Sequence, residues 1–370
     1  MSEKDIFTDH LASYSVYDEH RKVTYHEQTD IDNTLKLREV LKTLPDFCRD
    51  YFRAMDPVMT TKTRISYAYD IRIFFQFLLD ENPAFKNLSS IRDFSIDVLD
   101  MLKAVDIEEY QEYLKVYKNG DKTETNGERG LKRKMSALRS FYAYYYKHER
   151  ISTNPTVLVE VPKVHQKSII RLDTDEVAML LDYIEHCGDH LTGQKRVYYE
   201  KTKERDLAIV TLLLGTGIRV SECVGLDVED VDFKNNGIKV TRKGGNEMII
   251  YFGSEVEKAL KSYLEARKNI VPLSGHEHAL FYSTQRKRIG VQAVENLVKK
   301  YAKAITTTKK ITPHKLRSTY GTALYQETGD IYLVADVLGH KDVNTTKKHY
   351  AAMDDARRRK AATAVHLRED

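Results

Sequence analysis

The sequence predicts a mainly α-helical protein with a small β-sheet, arranged as two domains behind an N-terminal extension. Three observations lead there. At roughly 150 residues per domain, a chain of 370 residues makes about two and a half domains. Through most of its length apolar side chains recur at three- and four-residue steps, the spacing of an amphipathic helix. Only 7 Pro and 17 Gly interrupt that pattern, and 41% hydrophobic residues suffice for buried cores.

Residues 1–44 lack strong periodicity and read as a polar extension of unknown role, with one helix near Asp32–Leu44. From Pro45 the pattern sharpens. Ile65, Ala68, Ile71, Phe75 and Leu78 predict a helix over about 61–80, ended by Asn82-Pro83. Asp106 with Glu109 has the form of a capping box, and Ile107, Tyr110, Leu114 and Tyr117 follow as one apolar face. Asn119-Gly120-Asp121 breaks that helix, and Leu131 to Lys147 forms another, basic and rich in tyrosine. Together these predict a helical domain over 45–160, followed by a linker at 161–171.

The second domain is expected over 172–370. Apolar spacing predicts helices at Asp173–His186, Glu204–Leu214 and Glu255–Lys268, then at about 291–304, 314–327 and 331–338. Two short β-type runs, Ile238–Arg242 and Glu247–Phe252, flank the turn signal Lys243-Gly244-Gly245-Asn246 and predict a hairpin.

The net charge of +4 decides little, but its distribution is uneven. Arg129, Lys132, Arg133, Lys134, Arg139, Lys147 and Arg150 share their segment with a single acid, Glu149. Between Phe281 and Arg317, ten Lys or Arg face Glu295 alone. One basic run is commonly a solvated helix face; two in otherwise balanced sequence read as the footprint of a nucleic-acid binder, because phosphate neutralisation releases counterions.

Other classes are disfavoured. No run of about 18 apolar residues suggests a membrane span, and Met1-Ser2-Glu3-Lys4-Asp5 does not begin a secretory signal. Cys48, Cys187 and Cys223 are odd in number and scattered, which argues against a disulfide framework or a zinc site and fits a cytoplasmic location. There is no P-loop motif and no Gly-x-Ser-x-Gly elbow. Gly215-Thr216-Gly217 is a weak phosphate-loop signal, and His276-Glu277-His278 lies in a loop context that suits no metal pair. No metal and no cofactor is expected.

Three segments stand out: Leu214-Gly215-Thr216-Gly217-Ile218-Arg219-Val220-Ser221-Glu222, Thr312-Pro313-His314-Lys315-Leu316-Arg317, and Leu338-Gly339-His340 followed ten residues later by Tyr350. Each has a bland reading. Arg219 with Glu222 makes a helix pair, His314 a turn residue, and Tyr350 is one of 24 tyrosines. Their joint occurrence, in this order, carries the signal. On these segments, together with Ser318-Thr319-Tyr320-Gly321-Thr322, the region 172–353 resembles the tyrosine recombinase/integrase family, which includes Xer-type recombinases and the integrases of phages and conjugative transposons. The helices around Arg129–Arg150 are more loosely similar to that family's core-binding domain. Two departures are visible: Ser318 stands where the family often has His, and the interval from His340 to Tyr350 is one residue longer than usual.

The resemblance implies a helical core-binding domain and a catalytic domain closing as a C-shaped clamp around DNA. It implies site-specific recombination through a covalent 3′-phosphotyrosyl intermediate, without ATP. Tyr350 is then the nucleophile, Arg219 and Arg317 clamp the phosphate, and Lys243 is the general acid, with Lys309 and Lys310 as rivals. His314 relays the tyrosine proton, His340 contacts a nonbridging oxygen, and Glu222 supports the geometry. The chemistry is physically consistent: a phenol with a pKa near 10 needs activation, and charge developing on phosphate oxygens needs fixed cations, to which arginine's planar fork is suited. The implied partners are double-stranded DNA and further copies of the chain, as a tetramer on two DNA sites, with a paralogous recombinase or accessory protein as an added possibility; no membrane is involved. Arg129, Lys132, Arg133, Lys134, Arg139 and Arg242 are the expected DNA contacts. A type IB topoisomerase-like relaxing enzyme and a catalytically silent DNA-binding regulator are the alternative functions.

Overall fold

The computed structural model describes residues 23–165, 170–242, 245–340 and 343. The chain divides into two compact units, one up to residue 166 and one from 167.

The first unit is helical: α1 (Tyr25–Leu41), α2 (Cys48–Ala54), α3 (Thr61–Glu81), α4 (Ala104–Tyr113) and α5 (Glu128–Lys147), joined by short helical turns. Its core is unusually aromatic. Phe74 and Phe75 of α3 and Phe141, Tyr142 and Tyr145 of α5 are all buried, with edge-on contacts such as Phe75 on Phe141 and Phe74 on Tyr110. Such ring pairs add about 0.5–1.5 kcal/mol beyond the area they bury. Buried phenols find acceptors or donors: Tyr145 donates to the Phe47 carbonyl at 2.6 Å and Tyr51 to Ser140 at 2.8 Å.

Three local expectations are corrected. The first helix starts at Tyr25, where Thr24 and Glu27 form a capping box, and its Leu37 and Val40 enter the same core as α3 and α5. A polar extension ending at residue 44 therefore does not describe this segment. Next, α4 begins at Ala104, because the Asp106 carboxylate accepts from the Lys103 backbone N–H at 2.8 Å; Asp106 is the third helical residue, not the cap. Finally, Asn119-Gly120-Asp121 does more than end a helix. It turns a hairpin, β1 (Val116–Asn119) against β2 (Lys122–Thr125), with Gly120 at φ +61°, so Tyr117 is a strand residue.

The second unit is built around α7 (Gly193–Thr216), packed against α6 (Thr174–His186), with α8 (Val220–Gly225) following directly. A three-stranded antiparallel sheet runs β3 (Val231–Asp232), β4 (Gly237–Thr241), β5 (Glu247–Tyr251), with Ile238 opposite Ile250. Then come α9 (Ser254–Arg267), α10 (Val291–Ile305), α11 (Pro313–Thr328) and α12 (Ile331–Leu338). The helix expected at Glu204–Leu214 extends eleven residues further toward the N-terminus, through a polar stretch whose apolar face is sparse. A buried polar network locks α7 to α10: Arg205 donates to Asp206 at 2.6 Å, and the Tyr301 hydroxyl donates to the other Asp206 oxygen at 2.9 Å. Burial and the Asp206 charge push the Tyr301 phenol far above its ordinary pKa. Among the described residues no helix is long and apolar enough to cross a membrane.

Candidate active site

Three helix ends meet in the second unit. The first is the C-terminus of α7. Gly217 caps it at φ +63°, and a Cβ there would come within 2.3 Å of the Tyr320 ring, so the turn requires glycine. Ile218 is buried beneath it, and Arg219 follows at the N-cap of α8. The Glu222 carboxylate grips Arg219 twice, accepting from its backbone N–H at 2.7 Å and from Nη1 at 2.8 Å.

The second end is the start of α11, where Pro313 occupies the first helical position. His314 is exposed in that first turn, and Arg317, one turn on, points inward and is only 4% exposed. Arg317 Nη1 donates to the Gly217 carbonyl at 2.6 Å, and Nη2 donates to the Leu338 carbonyl.

The third end is the C-terminus of α12. Gly339 caps it at φ +60°, and the backbone N–H of His340 donates to Ala335 at 2.9 Å. Helix ends leave carbonyls without partners. Here arginines take them: Arg242 donates to Val337 at 2.7 Å and Leu338 at 2.9 Å, Arg317 to Leu338, and Arg219 to Gly339 at 3.2 Å.

Two guanidiniums thus flank one buried carboxylate, Glu222, Arg219 at 2.8 Å and Arg242 at 3.7 Å from its Oε1, and Arg317 brings a third to the same helix end. The partial negative charge of the α12 terminus offsets part of the excess. What remains is a fixed positive centre, open to solvent on the Arg219 side, whose side chain is 35% exposed. The Arg219 Nε–H has no partner among the described residues. Such a site suits an anion with oxygens to share between two planar forks, as a phosphodiester has.

The structure brings Arg219, Glu222, Arg317 and the backbone of His340 together. Lys243 and Tyr350 lie outside the described residues. Lys309, the rival acid, is held by Glu176 at 2.5 Å and Asp173 at 3.1 Å at the start of α6, which raises its pKa, chiefly through the Glu176 hydrogen bond. Lys310 is exposed.

Three of the expected DNA contacts are corrected by burial or by partners within the protein. Arg242 is 9% exposed and committed to carbonyls. Lys134, on α5, is buried and paired with the buried Asp70 at 3.1 Å. Arg139 donates to the Thr156 carbonyl at 3.1 Å and to that of Val159, fastening the chain after α5 back onto the helix. Arg133 also reaches Asp70 from the surface, and Arg129 and Lys132 are exposed. A count of basic residues cannot separate these; the i+1 spacing of Lys132, Arg133 and Lys134, which spreads them around the helix, was the available signal.

The chain is similar to known proteins over most of its length. The model of the phage integrase family matches residues 170–357. The tyrosine recombinase XerC of Caldanaerobacter subterraneus subsp. tengcongensis is 35% identical over 312 residues, 82% of each chain. The tyrosine recombinase XerS of Streptococcus uberis is 30% identical over 346 residues, covering 86% of this chain and 95% of that one. Among solved structures, the Tn1549 transposon integrase in complex with transposon right end DNA has a TM-score of 0.58 at 22% identity, covering 86% of this chain and 99% of its own. XerH bound to palindromic difH substrate has a TM-score of 0.57 at 20% identity, covering 82% and 79%. The last two likenesses are of fold. The chain belongs to the phage integrase family. It is a tyrosine-type site-specific DNA recombinase, and its partner is DNA; the relaxing-enzyme and silent-binder alternatives are not favoured.

Proposed function

We propose that Tyr350 attacks a DNA phosphodiester held between Arg219 and Arg317. The phenolic oxygen bonds to phosphorus, the bond to the 5′-oxygen breaks, and the 3′-phosphate remains on the tyrosine. Lys243 gives the leaving 5′-oxygen its proton, and His314 takes the proton of the phenol. His340 hydrogen-bonds a nonbridging oxygen. In the return step a 5′-hydroxyl attacks the phosphotyrosine, so the bond energy is kept and no nucleotide is consumed.

The observation that supports this reading is the convergence of Arg219 and Arg317 at the α12 terminus. Both forks are already oriented by carbonyl acceptors. Little reorganisation is then needed as charge builds on the phosphate, which is where electrostatic catalysis gains most. Glu222 fixes the Arg219 fork and limits the local positive charge. The assembly belongs to the same proposal: four chains on two DNA sites, with a paralogous or accessory protein as a further participant, acting in the cytoplasm. Exposed Arg129 and Lys132 of α5 and the surface-facing part of Arg133 are proposed to contact phosphates.

The test is covalent trapping on nicked suicide duplexes built from DNA recovered with the protein. Wild-type chain should give an adduct that survives SDS. Tyr350→Phe should give none while binding DNA nearly as well, since only a hydroxyl is lost. An adduct with the Phe variant means another residue is the nucleophile.

A further inference from the structure

We propose that Arg242 is a positioning residue for strand cleavage, holding the turn that leads into His340 in register with the Arg219–Glu222 pair. This rests on the cleavage chemistry proposed above and adds to it a residue that touches no reacting atom.

Arg242 sits at the base of the β4–β5 hairpin, next in sequence to Lys243. Its backbone is fixed there: its N–H donates to Asn246 at 2.7 Å and its carbonyl accepts from Gly245 at 3.0 Å. Its side chain does not follow the hairpin toward solvent. It runs inward, and its two terminal nitrogens donate to the Val337 and Leu338 carbonyls, the last two of α12. The same Nη1 lies 3.7 Å from Glu222 Oε1, the oxygen that holds Arg219. One guanidinium therefore joins the hairpin, the end of α12 and the start of α8.

Packing makes the join rigid. Gly339 lies directly over the guanidinium, and a Cβ there would come 2.7 Å from Nη1 and 2.8 Å from Cζ. The chain can leave α12 toward His340 along this path only because residue 339 is glycine in the left-handed region. The arrangement is costly: burial works against the Arg242 charge, and its Nε–H is buried without a partner among the described residues. Two charge-assisted bonds to a helix C-terminus and the Glu222 charge compensate.

Lysine keeps the charge but cannot span two successive carbonyls with a planar fork. Arg242→Lys is therefore the informative variant, with Arg242→Gln beside it. With suicide duplexes of the sequence trapped by wild-type chain, three quantities are read: adduct rate, DNA affinity against salt, and folding by circular dichroism. Arg242→Lys should slow adduct formation about 10²-fold, the scale expected when a catalytic group shifts by about an ångström. Its Kd and the slope of log K on log salt should match wild type. Combining it with Glu222→Gln should slow the reaction by less than the product of the two single effects, because both act through Arg219.

An adduct rate within about twofold of wild type overturns the assignment. So does a weakened affinity with the salt slope reduced by about 0.9, which marks a phosphate contact. Loss of the folded signal in both variants makes Arg242 a scaffold residue and overturns it as well. If wild-type chain forms no adduct, the cleavage reading fails first and the positioning role falls with it.

Discussion

The basic helix of the first unit and the arginine centre of the second use the same residue types for opposite ends. In α5, Lys134 is spent on buried Asp70 and Arg139 on the carbonyls of Thr156 and Val159, so a charge-rich helix owes part of its charge to architecture. In the second unit Arg219 and Arg317 also bind carbonyls, but they converge on one helix end, where Arg219 is paired with Glu222 and partly open to solvent. Asp70 meets two bases, Arg133 and Lys134, and Glu222 likewise meets two, Arg219 and Arg242; the second site is the more positive because Arg317 ends on the same helix terminus. The lesson is that a basic residue is a candidate for binding only after its buried acceptors have been counted.

The comparison breaks most readily at the arginines. Arg219→Ala and Arg317→Ala should each lower cleavage by about 10²–10³, the usual loss when one charged donor is removed from such a site. A substrate with sulfur at the 5′-bridging position, whose thiolate scarcely needs a proton, should restore cleavage to Lys243→Ala but to neither arginine variant. Rescue of an arginine variant to the same extent would end that division of roles.

The next effect is on stability, in the first unit. Lys134→Ala leaves Asp70 buried with a single surface-facing partner and should cost about 3 kcal/mol in urea unfolding. Lys132→Ala should cost less than about 0.5 kcal/mol, as surface changes usually do. Equal costs would mean that Lys134 is solvated like its neighbour.

Alkaline pH probes both units together. Burial pushes the phenols of Tyr51 in the first unit and Tyr263 in the second up to about 12. The folded chain then keeps protons that the unfolded chain loses from about pH 10. Stability from these groups is fully present below pH 10 and should fall as pH rises toward 12. Thermal midpoints that stay level between pH 9 and 11.5 would contradict this.

The smallest effect concerns DNA affinity. Lys132→Ala should weaken binding and flatten the salt slope by about 0.9, the loss of one phosphate contact. An unchanged slope would place Lys132 on a solvated face. Arg139→Ala should leave that slope unaltered and lower stability instead, since two carbonyls lose their donor.

Much of this is legible in the sequence. Apolar spacing located α3, α6, α9, α10, α11 and α12 to within a residue or two, because in those helices the buried face is continuous and the period alone reports it. The three motif segments were legible too, since glycines at 217 and 339 mark turns that only glycine allows and Arg219 and Arg317 sit at fixed offsets from turns. What could not be read was decided by partners distant in sequence. The place of α1 in the core depends on packing against α3, and the N-terminal turns of α7 run through a mostly exposed polar stretch fastened by buried Tyr199, whose hydroxyl donates to the Ile184 carbonyl of α6. The fate of each basic residue was hidden for the same reason. Lys134 meets an acid 64 positions away and Arg242 a helix end 95 and 96 positions away. Period and spacing are local properties of a chain, whereas the burial of a charge and the identity of its acceptor are properties of the folded neighbourhood, which separates Arg242 from the exposed Arg129.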